Sequence, residues 1–124
     1  PRRAGGRGAR PLVPFGAVPA PAGEMPVVLG AGSSGILLHE AIGHGMEADF
    51  NRKQVFVYAD RIGQAIARPF VNIVDDATPP GARGAINVDD EGNAAGRTHL
   101  VVDGALATYL HDAISVTLTS TGPS

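Results

Sequence analysis

The chain of 124 residues contains no cysteine and no tryptophan, and aromatic residues make up only 5% of it. The lack of cysteine excludes disulfides and thiolate metal ligands within this sequence, and it fits a reducing compartment. No apolar run approaches the roughly 20 residues that a transmembrane helix needs. We therefore expect no membrane segment and a core built from aliphatic side chains.

Glycine and proline are plentiful, with 17 and 10 residues, and they break the sequence into short segments that favour turns and strands over long helices. The first twenty residues are rich in proline, glycine and arginine, and their four arginines are not balanced by any acidic residue. This composition predicts a flexible tail or interdomain connection over residues 1–20. The tail lacks the interleaved aromatic residues of nucleic-acid-binding segments, and so we expect no nucleic-acid partner.

Residues 39–44 spell His-Glu-x-x-x-His, in which a carboxylate follows the first of two neighbouring imidazoles. These groups are the minimum set for holding zinc and activating a water molecule. The zinc-peptidase pattern H-E-x-x-H places its histidines at i and i+4 on one helix face, whereas here the second histidine comes one residue late. In a regular α-helix, His39 and His44 would point about 140° apart. A one-residue π-bulge brings them back together, and Gly43 lies where the backbone yields most easily.

The same residues also have a purely structural interpretation. A histidine beside apolar residues is commonly a hydrogen-bonded core or cap residue, and Glu40 can be a solvated helix carboxylate. Leu37, Leu38, Ala41 and Ile42 supply an apolar face for the helix, and the three polar side chains lie away from its centre. From spacing alone, the metal hypothesis requires a deformed helix.

Five segments of the chain are distinctive: PVVLG at 26–30, GILLHEAIGHGME at 35–47, DFNRK at 49–53, VDDEG at 88–92 and TSTG at 119–122. Together they resemble the TldD/PmbA family of metallopeptidases. The histidine pair indicates the TldD-type branch, because PmbA-type members lack it. Family members are much longer than this chain, and so the resemblance predicts a partial metallopeptidase catalytic domain over residues 21–124.

The resemblance implies a zinc-dependent peptidase that hydrolyses small or unfolded peptides, such as the leaders of peptide precursors or labile antitoxin proteins. It implies that His39 and His44 are zinc ligands and that Glu40 is the catalytic general base that activates the water. It also implies a peptide substrate, a homodimer or a heterodimer with a PmbA-type partner, and a cytoplasmic location.

Two features of the predicted site are less well defined. Asp49, Asn51 and Arg52 match the family's motif and are predicted to shape the substrate pocket, although capping and salt bridging explain them equally well. The family's third zinc ligand is a cysteine near the far C-terminus, and we therefore expect this segment alone to be inactive. The chain's own alternatives have no distinguishing spacing: Asp49, Asp75, Asp76, Asp89, Asp90, Glu91, His99 and His111.

Two other function classes remain open. One is a non-catalytic, metal-poor fragment or pseudo-peptidase that acts as an interaction module. The other is a nucleotide-binding protein, because Gly30 to Gly35 read G-x-G-x-x-G after an apolar run and at the start of a helix. A Rossmann unit also needs a second strand that ends at the acidic residue, and the sequence before Asp49 does not supply one.

Beyond the helix, the pattern predicts a fold of the α+β class, with antiparallel strands around one short, metal-bearing helix, as a fragment of a larger domain. Pro69 interrupts one candidate strand and demotes it to an edge or bulged strand. Asp103-Gly104 is the best hairpin signal. We expect His99 and His111 to be sheet-surface residues and the acidic run at 89–92 to be a solvated turn. The candidate strands are residues 55–58, 65–74, 85–88, 98–102 and 105–110.

Overall fold

The computed structural model describes residues 16–32 and 34–120, so that most of the tail predicted at residues 1–20 lies outside the described residues. In chain order the elements are α1 (Ser34–Leu38), a π-helical turn (His39–Gly43), a 3-10 turn (His44–Met46), α2 (Ala48–Arg52), β1 (Ile73–Asp76), β2 (Arg97–Val102), β3 (Ala105–Leu106) and α3 (Ala113–Ser120). Short helices and an antiparallel sheet confirm the predicted α+β class.

The three strands form one sheet in the order β1-β2-β3, and both pairs are antiparallel. Ile73 pairs with Val101, but the next residue, Val74, pairs with His99, so Leu100 is an extra residue that marks a bulge in β2. The predicted strand over residues 65–74 is therefore right only at its end. Pro69 lies in a turn, and the strand that follows it, β1, is an edge strand of the sheet, as a proline interruption predicts.

The predicted hairpin at Asp103-Gly104 is confirmed. Both residues have positive φ values, 48° and 81°, which is the type I′ geometry that matches the twist of a two-residue hairpin. The loop before β1 is hydrogen-bonded to this turn. The Gly104 N–H donates to Val71 O at 2.9 Å, and Gly104 O accepts from the Ile66 and Ala67 N–H groups. Residues 65–72 thus hold the tip of the hairpin instead of forming a long strand.

The strand predicted at Val55–Tyr58 is wrong, because residues 57–60 form a turn. The Val55 N–H donates to Phe50 O at 3.0 Å, and the chain therefore folds back onto α2. Positive φ values at Gln54 and Asp60 bound the reversal. The candidate at 85–88 is wrong as well, since only Val88 forms a bridge, and β3 ends at Leu106 instead of continuing to Leu110.

The acidic run at 89–92 forms the expected turn, and its side chains bind local backbone. The Asn93 N–H donates to Asp89 Oδ1 at 2.8 Å, which lowers the pKa of that carboxyl below its usual range. The Glu91 carboxylate accepts the Ala113 N–H at the start of α3. His99 lies on β2, exposed as predicted, but His111 precedes α3 and contacts Ser115, so its placement on a strand is wrong.

The core is small and lies between the sheet and the 3-10 turn. Its buried cluster consists of Met46, Leu100, Val101 and Leu106. Helix α1 contributes no buried residue, and of the predicted apolar face only Ile42 packs against this cluster. No helix in the described part of the chain is long and apolar enough to cross a bilayer.

We predict that Gly104→Ala strongly destabilises the protein. An added Cβ would lie 2.6 Å from Ala67 O and 2.7 Å from Arg68 O, and Gly104 has a φ of +81°. Left-handed strain alone costs about 1–2 kcal/mol, and so we expect a total loss above about 2 kcal/mol in urea unfolding of the full-length protein. Gly63→Ala is the matched control, because its φ is +80° and nothing lies within 4 Å of its added Cβ. Equal losses in the two variants would contradict the steric part of this explanation.

Candidate metal centre

The histidine pair lies on the π-helical turn. The His44 N–H donates to His39 O, which is the i→i+5 hydrogen bond that defines this geometry. The deformed helix that the spacing requires is therefore present at the predicted place. Gly43 lines the inside of the turn, where an added Cβ would lie 3.5 Å from His39 Nδ1. The absence of a side chain at residue 43 leaves the first imidazole open.

This turn brings the three polar side chains of the motif together. The rings of His39 and His44 are 4.4 Å apart between centroids, at an interplanar angle of 63°. One ligand atom from each of His39, Glu40 and His44 lies within 4.8 Å of the other two. Glu40 Oε2 is 3.9 Å from His44 Nε2, and the two side chains are 65% and 50% exposed. The cluster is open to solvent and accessible to an ion and to a substrate.

The orientation of His44 is fixed by a carboxylate that the sequence analysis did not single out. His44 Nδ1 lies 2.7 Å from Glu47 Oε1. An ionised carboxylate only accepts hydrogen bonds, and so Nδ1 carries the proton in neutral His44 and Nε2 keeps its lone pair. Nε2 is the atom that faces Glu40. The signal for this contact was a glutamate three residues after the second histidine, inside the segment that carries the family resemblance.

The backbone after His44 is anchored to the core. Met46 is fully buried, and its carbonyl accepts the Leu110 N–H at 2.8 Å. The Ala48 N–H donates to Leu110 O at 2.8 Å, which completes a parallel bridge centred on Glu47. Gly45 allows a close approach, since an added Cβ would lie 3.0 Å from the Tyr58 ring. The second histidine therefore extends from a backbone that the sheet region holds in place.

The predicted pocket residues Asp49, Asn51 and Arg52 do not line one cavity. Asn51 and Arg52 line a cavity of about 240 Å³ beside Tyr109, and Asp49 lines a separate one with Glu47. Asn51 is buried and donates from Nδ2 to Gly45 O at 2.7 Å and to Glu47 O at 2.8 Å. Its geometry is that of an anchor for the segment after His44, and the role of the three residues in substrate binding stays a prediction.

None of the alternative third ligands joins the histidines. Among residues 16–32 and 34–120, the cluster of His39, Glu40 and His44 is the only group of three or more potential ligands close enough to hold a metal ion. Several of the alternatives are engaged elsewhere: Asp76 with Thr78, Asp89 with Asn93, and Glu91 with α3. The described part of the chain therefore provides two imidazoles and one carboxylate.

A cavity of about 130 Å³ lies next to the first histidine, between the π-helical turn and β1. It is predominantly apolar and is of a size for one side chain or a short segment. The residues that line it are Gly35, Leu38, His39, Ile42, Gly43, Ile73, Val74, Asp75, Leu100 and Leu110.

The glycine-rich run before α1 does not have the context of a dinucleotide-binding loop. Within the described residues, 25–30 form no strand, residues 31 and 32 form a turn, and α1 begins at Ser34. The Ser34 hydroxyl donates to Gly30 O, and the Gly35 N–H donates to Gly32 O at 3.1 Å. Because the Rossmann fingerprint requires a strand before its first glycine, this run is a helix-initiating turn.

Comparison with known proteins places most of the described region in one family. A family model described as the PmbA/TldA metallopeptidase C-terminal domain matches residues 22–123. A metalloprotease TldD homolog from Haemophilus influenzae is 49% identical over 107 residues, which cover 86% of this chain and 22% of that protein. A metalloprotease of Methanocaldococcus jannaschii is 39% identical over 95 residues, which cover 77% and 21%. The chain spans about a fifth of the length of the curated relatives it matches.

Solved structures share the fold. A Thermotoga maritima protein superposes with a TM-score of 0.63 at 23% identity, covering 69% of this chain and 20% of that chain. TldE from Thermococcus kodakarensis superposes with a TM-score of 0.57 at 22% identity, covering 63% and 18%. At these identities the likeness shows the fold alone.

We predict that Asn51→Ala destabilises the segment after His44. The substitution removes both donors from the Gly45 and Glu47 carbonyls, and leaving a buried polar group unpaired costs about 1–3 kcal/mol. Urea unfolding of the full-length protein measures the loss. Asn93→Ala is the matched control, because Asn93 is exposed and its side chain contacts only the turn carboxylate Asp89. A loss no larger than that of Asn93→Ala would contradict the anchoring role.

Proposed function

The chain belongs to the TldD/PmbA family of metallopeptidases, and we propose that it supplies the metal-binding and proton-transferring residues of a zinc-dependent peptidase. The observation that carries this proposal is the π-helical turn, which gathers His39, Glu40 and His44 so that their ligand atoms lie within 4.8 Å of one another. A sequence with this spacing on a regular helix would hold its imidazoles apart.

The donor set of the turn suits zinc. Imidazole nitrogens are preferred ligands of zinc, whereas calcium and magnesium prefer sites built of oxygen atoms. His39 and His44 would hold the ion, His44 through the Nε2 atom that its contact with Glu47 leaves unprotonated. A zinc ion bound there supplies Lewis-acid activation of water and of the scissile carbonyl.

Glu40 is the proposed general base. Its carboxylate is 65% exposed and lies 3.9 Å from His44 Nε2, beside the position that the ion would take. From there it can accept a proton from the attacking water and return it to the leaving amine, as a positioned carboxylate does in general acid–base catalysis. Since a catalytic zinc site takes three protein ligands and an open position, we propose that the third ligand lies outside the described residues.

Small or unfolded peptides are the proposed substrates, among them the leaders of precursors and labile antitoxin proteins. Two features support an extended chain as substrate: the solvent-open histidines, and the apolar cavity of about 130 Å³ between His39 and β1, which suits one side chain. Asp49, Asn51 and Arg52 are proposed to shape the more distant part of the pocket. We further propose a dimer, either of like chains or with a PmbA-type partner, and a cytoplasmic location.

A second candidate function is a non-catalytic interaction module. The observation that favours it is the incomplete ligand set, because the sequence has no cysteine and, within the described residues, only two of the four histidines lie in the cluster. Many apolar side chains are also exposed, including Val28 at 98% and Phe70 at 82%. Such surfaces commonly pack against other protein. Metal content and peptidase activity distinguish the two functions.

We predict that Glu40→Gln in the full-length protein lowers peptide hydrolysis by at least about 100-fold, which is the contribution typical of a general base. Zinc content should stay nearly unchanged, since the histidines hold the ion. Zinc is measured by elemental analysis of dialysed protein, and hydrolysis with unstructured peptides. Glu24→Gln, the same substitution at an exposed position outside the helices, should leave both unchanged. Joint loss of zinc and activity in Glu40→Gln would make Glu40 a ligand instead of a base.

We predict that the isolated 124-residue chain is inactive and binds zinc only when the metal is added in excess. Its site is one ligand short, and its exposed strand edges and apolar side chains favour self-association. Dialysis followed by metal analysis and size-exclusion chromatography tests both points. Stoichiometric zinc and peptidase activity in a monomer would contradict the prediction.

A further inference from the structure

Among the described residues, Glu47 makes the closest polar contact to either histidine of the cluster formed by His39, Glu40 and His44. Its Oε1 atom lies 2.7 Å from His44 Nδ1, whereas the nearest oxygen of Glu40 lies 3.9 Å from His44 Nε2. Nothing in the family resemblance assigns a role to this residue. We propose that Glu47 is a positioning residue, which fixes the orientation and tautomer of His44 and strengthens its Nε2 atom as a metal ligand.

The proposal rests on the proposed function, since it concerns the same site. Its physical basis is the common arrangement in which a metal-binding histidine donates its other ring N–H to a carboxylate. The carboxylate accepts the proton-bearing side of the ring, and partial transfer of charge makes the opposite nitrogen more basic. In this structure the opposite nitrogen is Nε2, the one on the side of Glu40.

The backbone of Glu47 is placed to do this. Glu47 lies at the centre of the bridge to Leu110, with hydrogen bonds on both sides through Met46 and Ala48. The Glu47 carbonyl accepts from the side chain of buried Asn51 at 2.8 Å. Its backbone is extended, with φ −74° and ψ 133°. A carboxylate on such a support holds one geometry without metal present.

Helix capping does not explain the side-chain orientation of Glu47. Glu47 occupies the position before α2, where a carboxylate could cap the first turn, but its side chain makes no capping hydrogen bond. The side chain points instead to His44 and is 33% exposed. Its carboxylate therefore contacts the His44 ring and does not cap α2.

The first test is zinc affinity of the full-length protein, measured by competition with a chromophoric chelator. Loss of a carboxylate partner of a metal-binding histidine typically weakens binding 10–100-fold. We expect about 10-fold for Glu47→Gln, which keeps a neutral acceptor, and up to about 100-fold for Glu47→Ala. Glu24→Gln is the control: it removes the same charge by the same type of substitution, at an exposed position outside the helices. We expect its affinity to stay within about twofold of that of the parent.

The second test needs no metal. In protein labelled with nitrogen-15 at histidine, long-range proton–nitrogen spectra distinguish the two neutral tautomers. We expect His44 to carry its proton on Nδ1 in the parent protein and to shift toward the Nε2 tautomer in Glu47→Ala, with the tautomer retained in Glu24→Gln. A merely structural role for Glu47 would lower the unfolding temperature without changing this ratio.

The outcomes distinguish failure of the positioning role of Glu47 from failure of the proposed zinc site. If His44→Ala binds zinc as tightly as the parent, the metal site itself is wrong. If His44→Ala loses zinc but both Glu47 variants match Glu24→Gln in affinity, and the tautomer is unchanged in Glu47→Ala, the site stands and the positioning role is overturned. Weakened affinity together with the tautomer shift supports it.

Discussion

The hydrogen bond from the His44 N–H to His39 O is the constraint on which the rest of the site depends. It encloses one more residue than an α-helical bond does, and this extra residue turns a spacing that would separate two side chains into one that brings them together. Residue 43 lies inside this bond, where an added Cβ would be in van der Waals contact with the ring of His39. The proximity of the two imidazoles thus depends on the backbone geometry of this one π-helical turn.

The small core explains why that turn can be held so close to solvent. Only a few side chains are buried, yet one of them is Met46, which follows the second histidine by two residues. Met46 O accepts the Leu110 N–H, and the Ala48 N–H donates to Leu110 O. A short segment with little local stability is therefore fixed by contacts with residues far along the chain, as functional sites on rigid supports generally are.

The sequence predicted the elements that local geometry determines. The π-helical turn follows from helix periodicity applied to two histidines, and the hairpin follows from Asp103-Gly104, whose positive φ values suit a two-residue loop. The strand at Val55–Tyr58 was predicted wrongly from a short apolar run, because Tyr58 packs on the core from a turn and not from a paired strand. The role of Glu47 was not predicted. Its contact with His44 spans a change from helical to extended backbone, which no periodic sequence pattern describes.

The two histidines differ in how much conformational freedom folding has already removed. His44 precedes a backbone segment bound to the core, and its ring is held by a carboxylate. His39 follows α1, none of whose residues is buried. Metal binding would therefore lose conformational entropy mainly at the N-terminal half of the turn, around His39. The cost is about 1–2 kcal/mol for each backbone residue that becomes fixed. A polypeptide that covered α1 would remove that cost in advance, and so contacts with the exposed leucines of α1, directly before His39, would change the affinity of the proposed site for metal.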